Sequence, residues 1–302
     1  MEANSLEIQL PDPTEYFTYR KICGLNLNFV PSLNKTFINH WEVNLGLPTY
    51  VLTVMITSFL AYLLIAVPSL KIKWYYVLLL TIIFALFLIS YINTILEGPG
   101  YLPFYYPHKP NTEKDKQFDF LSGLVTNDSQ LKSIDKNNLP KRVHYFKTAK
   151  RIVLRPDHYC DWVASFVGKK NYKLFYLFNL YGFLYITQFF ISLIFVIKMD
   201  IDKNMFPVSH YILILYIAQA FFFTMFTMAF LCGSTFEISR NVTDFENLTD
   251  IAVDWDNSSC IGNWEEIFGS ISKWYTWPIP FGAFHNMNSY ELVEWPQEIA
   301  EI

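Results

Sequence analysis

The chain has 302 residues, of which 52% are hydrophobic, 19% aromatic and only 17% charged, with a net charge of -4 and a mean hydropathy of +0.21. An ordinary soluble domain carries roughly 25% charge, so the composition excludes that class, and nucleic-acid binding is not expected, the basic residues of the chain being read as meeting anionic lipid and phosphate. Four scattered cysteines, Cys23, Cys160, Cys232 and Cys260, give no paired spacing for a disulfide framework or a zinc site.

Residues 1–46 mix polar and apolar positions, begin with acidic residues and lack a basic n-region, so no signal peptide is expected. Packing on a membrane surface and partner binding both remain open for this segment, and Cys23 within it is either an acylation site or an idle thiol. Four uncharged apolar runs follow: Leu47 to Val67, Trp74 to Leu96, Leu174 to Ile197 and Tyr211 to Cys232. A bilayer crossing needs about 20 apolar residues, so each run predicts a transmembrane helix. The expected class is an all-α membrane protein with two hairpins, over residues 47–96 and 174–232. Between them lies a loop, residues 97–173, and after them a tail, residues 233–302.

The 97–173 loop is rich in Lys and Arg, whereas the other side offers only Lys71, Lys73, Lys198 and Lys203. The positive-inside bias therefore predicts a cytosolic loop and cytosolic tails. Sequons at Asn34, Asn127, Asn241, Asn247 and Asn257 should then stay unglycosylated. The four runs hold no Asp, Glu, Lys or Arg, which disfavours a channel or transporter.

Within the loop, Val153 to Tyr172 places Asp157, His158 and Cys160 within four positions. A carboxylate, an imidazole and a thiol are the parts of an activated thiolate: an orienter, a base and a nucleophile. Arg155 and Lys150 nearby add positive potential that favours the thiolate. Asp161, directly after the cysteine, opposes them.

The stretch resembles the core of the DHHC-type protein S-acyltransferases, with Asp-His-Tyr-Cys in place of the family motif. The flanks match in order: Trp162, Val167-Gly168, Asn171-Tyr172, Phe175 and Phe178. Gly98-Pro99-Gly100 resembles the family Asp-Pro-Gly element, with Gly98 in place of the acid. Ser234-Thr235-Phe236-Glu237 resembles its Thr-Thr-X-Glu element, and Asn263 with Phe268-Gly269 its C-terminal element. The resemblance covers about residues 45–285. It implies transfer of a fatty acyl group, palmitoyl for preference, from acyl-coenzyme A through an acyl-enzyme on Cys160 to cysteines of membrane-associated proteins. A catalytically silent scaffold that binds lipid or client proteins is the alternative. The resemblance assigns His158 as base, Asp157 as orienter, Thr235 as support for Asp157, and Asn263 as a buttress from the tail. The implied location is Golgi, endoplasmic reticulum or plasma membrane.

The family loop usually binds structural zinc, and here the matching positions read Tyr145, Phe146, Ala149, Ile152, Tyr159 and Phe166. No zinc and no other cofactor is expected. Instead Tyr145, Phe146, Ile152, Tyr159 and Phe166 are expected to form one packed cluster, each side chain contributing roughly 1.5–3 kcal/mol when buried. Lys150, Arg151, Arg155, Lys169 and Lys170 are candidates for the phosphates of acyl-coenzyme A. Tyr185 lies about 17 Å along span three from Leu174 at 1.5 Å per residue. It is a candidate for the end of the acyl cavity, its hydroxyl seeking Thr57 or Ser58 of span one. Asn263 to Trp274 is expected to form an amphipathic helix under the loop, with membrane contact as a second option.

Overall fold

A computed structural model describes residues 18–31, 34–103, 106, 139–147, 151–203, 209–249 and 259–293. The chain divides into two compact units. One comprises residues 1–43, 100–155 and 286–302, the other residues 44–99 and 156–285.

In the first unit the N-terminal segment is a four-stranded antiparallel meander, β1 (Thr18–Ile22), β2 (Leu25–Val30), β3 (Lys35–Ile38) and β4 (Trp41–Glu42). Cys23 and Gly24 both have positive φ in the β1–β2 turn, the backbone twist that suits a two-residue hairpin. A second hairpin pairs β5 (Val143–Phe146) with β6 (Arg151–Leu154), Tyr145 standing opposite Ile152. Its core gathers Leu102, Tyr106, Val143, Ile152, Leu154 and Val293. The two sheets meet at Arg151, whose guanidinium lies over the rings of Phe37 and Tyr101 at 5.3 and 5.2 Å.

The second unit holds the membrane helices. They are α1 (Leu47–Leu70, with one π turn at Tyr62–Ala66), α2 (Trp74–Glu97), α3 (Tyr172–Asp202) and α4 (Ser209–Arg240). All four are long and apolar enough to cross a bilayer, and the chain is an integral membrane protein. Lys71 closes the α1–α2 hairpin in the left-handed conformation. α3 and α4 are longer than a crossing requires, 31 and 32 residues against about 20. The fourth apolar run ends at Cys232, yet its helix continues to Arg240. There Asn241 turns left-handed, Val242 N donates to Glu237 O and Asn241 N to Ile238 O, a double bond pattern that satisfies the terminal carbonyls. Asn241 is itself buried, and its amide donates to Glu266 Oε2 at 2.7 Å, which removes that sequon from the surface.

Between α2 and α3 the second unit carries a third hairpin, β7 (His158–Cys160) and β8 (Ser165–Val167). After α4 come a short helix α5 (Asp244–Leu248) and α6 (Cys260–Phe268). α6 stops at Gly269, whose φ is +83°, short of the expected Trp274. Residues 271–276 form a separate 3₁₀ turn.

Candidate active site

The spacing of the Asp-His-Tyr-Cys element gains its meaning from the strand it forms. Side chains alternate across a strand, so His158 and Cys160 share one face while Tyr159 points outward. Burial follows that alternation: Cys160 is buried, Tyr159 exposed. Cys160 is the last residue of β7, where the turn begins, and Val163 N donates to its carbonyl.

Asp157 is 4% exposed and is held on every side. Its Oδ2 lies 2.8 Å from His158 Nδ1, and its Oδ1 accepts from Asp244 N at 2.9 Å. Its own N–H donates to Val167 O, and its carbonyl accepts from Phe245 N. The carboxylate therefore fixes the ring with Nδ1 protonated, leaving Nε2 as the working nitrogen. That Nε2 is buried and has no hydrogen-bond partner. Phe175 and Phe230 pack on the ring at 5.2 and 6.0 Å.

Burial disfavours a charged imidazole, but the hydrogen bond and charge of Asp157, with Cys160 close by, outweigh it and push His158 up to about 10. A ring that holds a proton this firmly can keep the one it takes from a thiol.

The elements around the dyad are locked to the spans. Tyr91 of α2 is fully buried and donates to Trp162 O at 2.8 Å, anchoring the turn after Cys160. Asn171, also fully buried, accepts from Gly168 N and donates to Phe166 O and Thr94 O, joining β8 to the end of α2. Asp244 and Phe245 are placed by a capping box, in which Thr243 and Glu246 exchange side-chain to backbone bonds. Sequence reasoning missed both Tyr91 and the Thr243–Phe245 group. The Thr-x-x-Glu spacing at Thr243–Glu246 is the one signal that marks the latter.

From Cys160 an apolar cavity runs between the four spans, about 790 Å³ including its open mouth. Trp162, Phe178, Phe223 and Phe226 line its course, and Tyr185 and Ser58 line it with them. Tyr185 is fully buried and its hydroxyl meets Ser58 Oγ at 3.1 Å. Of the two expected partners, Ser58 is the one used; Thr57 donates to Thr53 O in its own helix.

Other expectations are corrected. Thr235 donates to Leu231 O and accepts from Tyr176 OH at 3.1 Å, so it braces α3 rather than touching Asp157. Asn263 donates to Ser239 O at 2.9 Å and docks α6 on the end of α4 rather than on the loop. The basic residues are engaged within the fold. Arg151 pairs with Glu42 and Tyr101, Lys169 with Glu266, and Lys170 with Glu97. Arg155 is 3% exposed and belongs to the unit that does not contain Cys160. Lys150 lies outside the described residues.

The expected single apolar cluster is two. Tyr145 and Ile152 pair across β5–β6, whereas Tyr159 and Phe166 pair across β7–β8 with rings edge to face at 5.2 Å. Phe146 is half-buried opposite Arg151, and Ala149 lies outside the described residues. Four of the six positions that the resemblance matches to zinc ligands are thus cross-strand partners of apolar or aromatic type. They offer no thiolate, imidazole or carboxylate, and no cluster of potential ligands that would hold a metal occurs among the described residues. The residues present do not fit zinc.

Four helices long enough to span a bilayer, and a cysteine lining the apolar cavity between them two residues from an Asp-His pair, bring the parts of an activated thiol to a membrane-spanning bundle. Residues 125–251 match the family model of the DHHC palmitoyltransferases. It is similar to probable protein S-acyltransferase 13 of Arabidopsis thaliana, 29% identical over 203 residues that cover 63% of this chain and 67% of the relative. Probable protein S-acyltransferase 12 of the same plant is 26% identical over 223 residues, 68% and 74% of the two chains. Palmitoyltransferase ZDHHC20 of Mus musculus is 27% identical over 163 residues, 46% of this chain and 43% of the relative.

Proposed function

We propose that the protein transfers a fatty acyl group from acyl-coenzyme A to cysteines of membrane-associated proteins through a thioester on Cys160. The observation that carries this reading is that Cys160, on the same face of β7 as His158 and its partner Asp157, lines the apolar cavity between the spans. His158 Nε2 takes the thiol proton, and Asp157 balances the charge the ring acquires. The Cys160 thiolate attacks the acyl carbonyl, and the coenzyme A sulfur leaves with the proton returned by His158. In the second half the acceptor thiol gives its proton to His158 and attacks the Cys160 thioester, which breaks to restore the free thiol.

The acyl chain occupies the cavity, and Tyr185 with Ser58 sets how much of it fits. The Lys and Arg bias of the 97–173 loop supports a cytosolic site. The chemistry needs no metal, which agrees with the apolar pairs that stand where zinc would bind. The test is transfer of labelled palmitate to a cysteine-bearing acceptor protein in vesicles, wild type against Cys160→Ala. Loss of transfer is expected, and full transfer by Cys160→Ala would remove the assignment.

A further inference from the structure

We propose that residues Ile271–Phe281 form a re-entrant wedge seated in the bilayer at the boundary of headgroups and acyl chains, with membrane lipid as the ligand of its exposed face. The segment follows the last span and carries aromatic residues in the order Trp274, Tyr275, Trp277 and Phe281. Beyond the 3₁₀ turn at residues 271–276 its backbone is irregular, and irregular backbone at membrane depth persists only where protein satisfies its polar groups.

Protein groups meet much of that condition. Lys173 Nζ, at the head of α3, donates to Thr276 O at 2.8 Å. Tyr181 OH donates to Pro278 O, and Asn93 Nδ2 of α2 donates to Pro280 O at 2.7 Å. Ile279 O accepts from Phe281 N. Among the donors, Trp277, Ile279 and Phe281 N–H are bonded within the segment, and Pro278 and Pro280 have none to satisfy. Trp277 Nε1 donates to Gly269 O.

Depth follows from the same bonds. Tyr181 lies on α3, which begins at Tyr172. At 1.5 Å per residue its Cα lies about 14 Å along the helix, and helical side chains lean back toward the N-terminus. Pro278 therefore sits several ångström below the head of α3, in the range of about 5–10 Å where interfacial segments bury. Asn93 holds Pro280 one helical turn from the end of α2.

The side chains on the other face are unpartnered apolar surface. Trp274 is 66% exposed and Phe281 60%, with Ile271, Tyr275 and Ile279 also exposed. This surface continues the exposed apolar faces of α2 and α3, which lipid must cover, and Trp and Tyr are the side chains that favour the interface. Because Lys173 directly follows Asn171 and Tyr172, the wedge also pins the helix head from which the β7–β8 hairpin is held.

The test uses the full chain in lipid nanodiscs, with p-benzoylphenylalanine replacing Trp274, Phe281 or, as control, Leu248, which is exposed on α5. Irradiation should give lipid adducts at 274 and 281 at least about tenfold above 248, read by mass spectrometry of the peptides. Adducts no greater than at 248 would overturn the proposal. An independent measurement avoids the unnatural side chain. Brominated phosphatidylcholine should erase the fluorescence difference between wild type and Trp274→Phe, and a difference that survives would place Trp274 in water.

Discussion

Replacing Asp157 with Asn keeps the size of the side chain and removes one charge. The amide oxygen of the variant can still accept from the Asp244 N–H, a bond that Asp157 makes at 2.9 Å. The amide nitrogen then faces His158 Nδ1 at the position where Oδ2 of Asp157 lies at 2.8 Å. An amide nitrogen only donates, so Nδ1 must accept and the ring proton moves to Nε2. The nitrogen aimed at the thiol is then already occupied, and position 157 is too buried for water to restore the pairing. A wrong tautomer of this kind costs about 10⁴-fold in rate, or roughly 5 kcal/mol of barrier. The assay is single-turnover acylation of Cys160 from labelled palmitoyl-coenzyme A by rapid quench, with folding checked in parallel. Wild type also carries a pH signature. His158 binds its proton more tightly folded than unfolded, about 10 against 6.5. The stabilisation this gives is complete below about pH 6.5 and fades as pH rises through about 10. Asp157→Asn should flatten that loss of melting temperature. Acylation within tenfold of wild type together with an unchanged pH slope would refute the pairing of Asp157 with His158.

Tyr185→Ala removes the hydroxyl bonded to Ser58 and opens the cavity beyond it, so donor preference should move to chains longer than palmitoyl; an unchanged profile in competition assays would assign Tyr185 to packing alone. Purified protein should contain far less than one zinc per chain and keep its labelling in chelator, and stoichiometric zinc by elemental analysis would contradict the apolar pairing. Phe166→Ala, which breaks the edge contact with Tyr159, should cost about 3–5 kcal/mol in denaturant unfolding; a loss under about 1 kcal/mol would mean that this pair does not hold the hairpin. Gly182→Ala would place a Cβ 2.8 Å from the Phe87 ring and should destabilise by about 1–3 kcal/mol, with Phe87→Leu restoring the loss; no recovery in the double variant would argue against that contact.

The spans are legible because nothing but a bilayer rewards four uncharged runs of such length. Their far ends are not, since α4 continues as a helix past its apolar run and its Ser234–Arg240 stretch reads as a polar tail. The N-terminal meander is hidden because β1, Thr-Tyr-Arg-Lys-Ile, is exposed along its whole length and shows no apolar alternation. The candidate residues of the site can be read from residue type and spacing. Their geometry cannot, because a three-residue strand is too short to announce its period. The residues that hold Asp157 come from 87 positions away, a separation no local pattern bridges. Pairing is also invisible in the sequence: Lys169, Lys170 and Arg151 read as phosphate candidates by charge alone, and the fold sets Glu266, Glu97 and Glu42 beside them.

The most direct measurement of the central claim is the mass of the intact protein after incubation with palmitoyl-coenzyme A. The account predicts one hydroxylamine-sensitive palmitoyl adduct, mapped to the peptide containing Cys160, slowed by roughly 10²–10⁴-fold in His158→Ala and absent in Cys160→Ser. An adduct on Cys23, Cys232 or Cys260 that forms equally well in Cys160→Ser would contradict it.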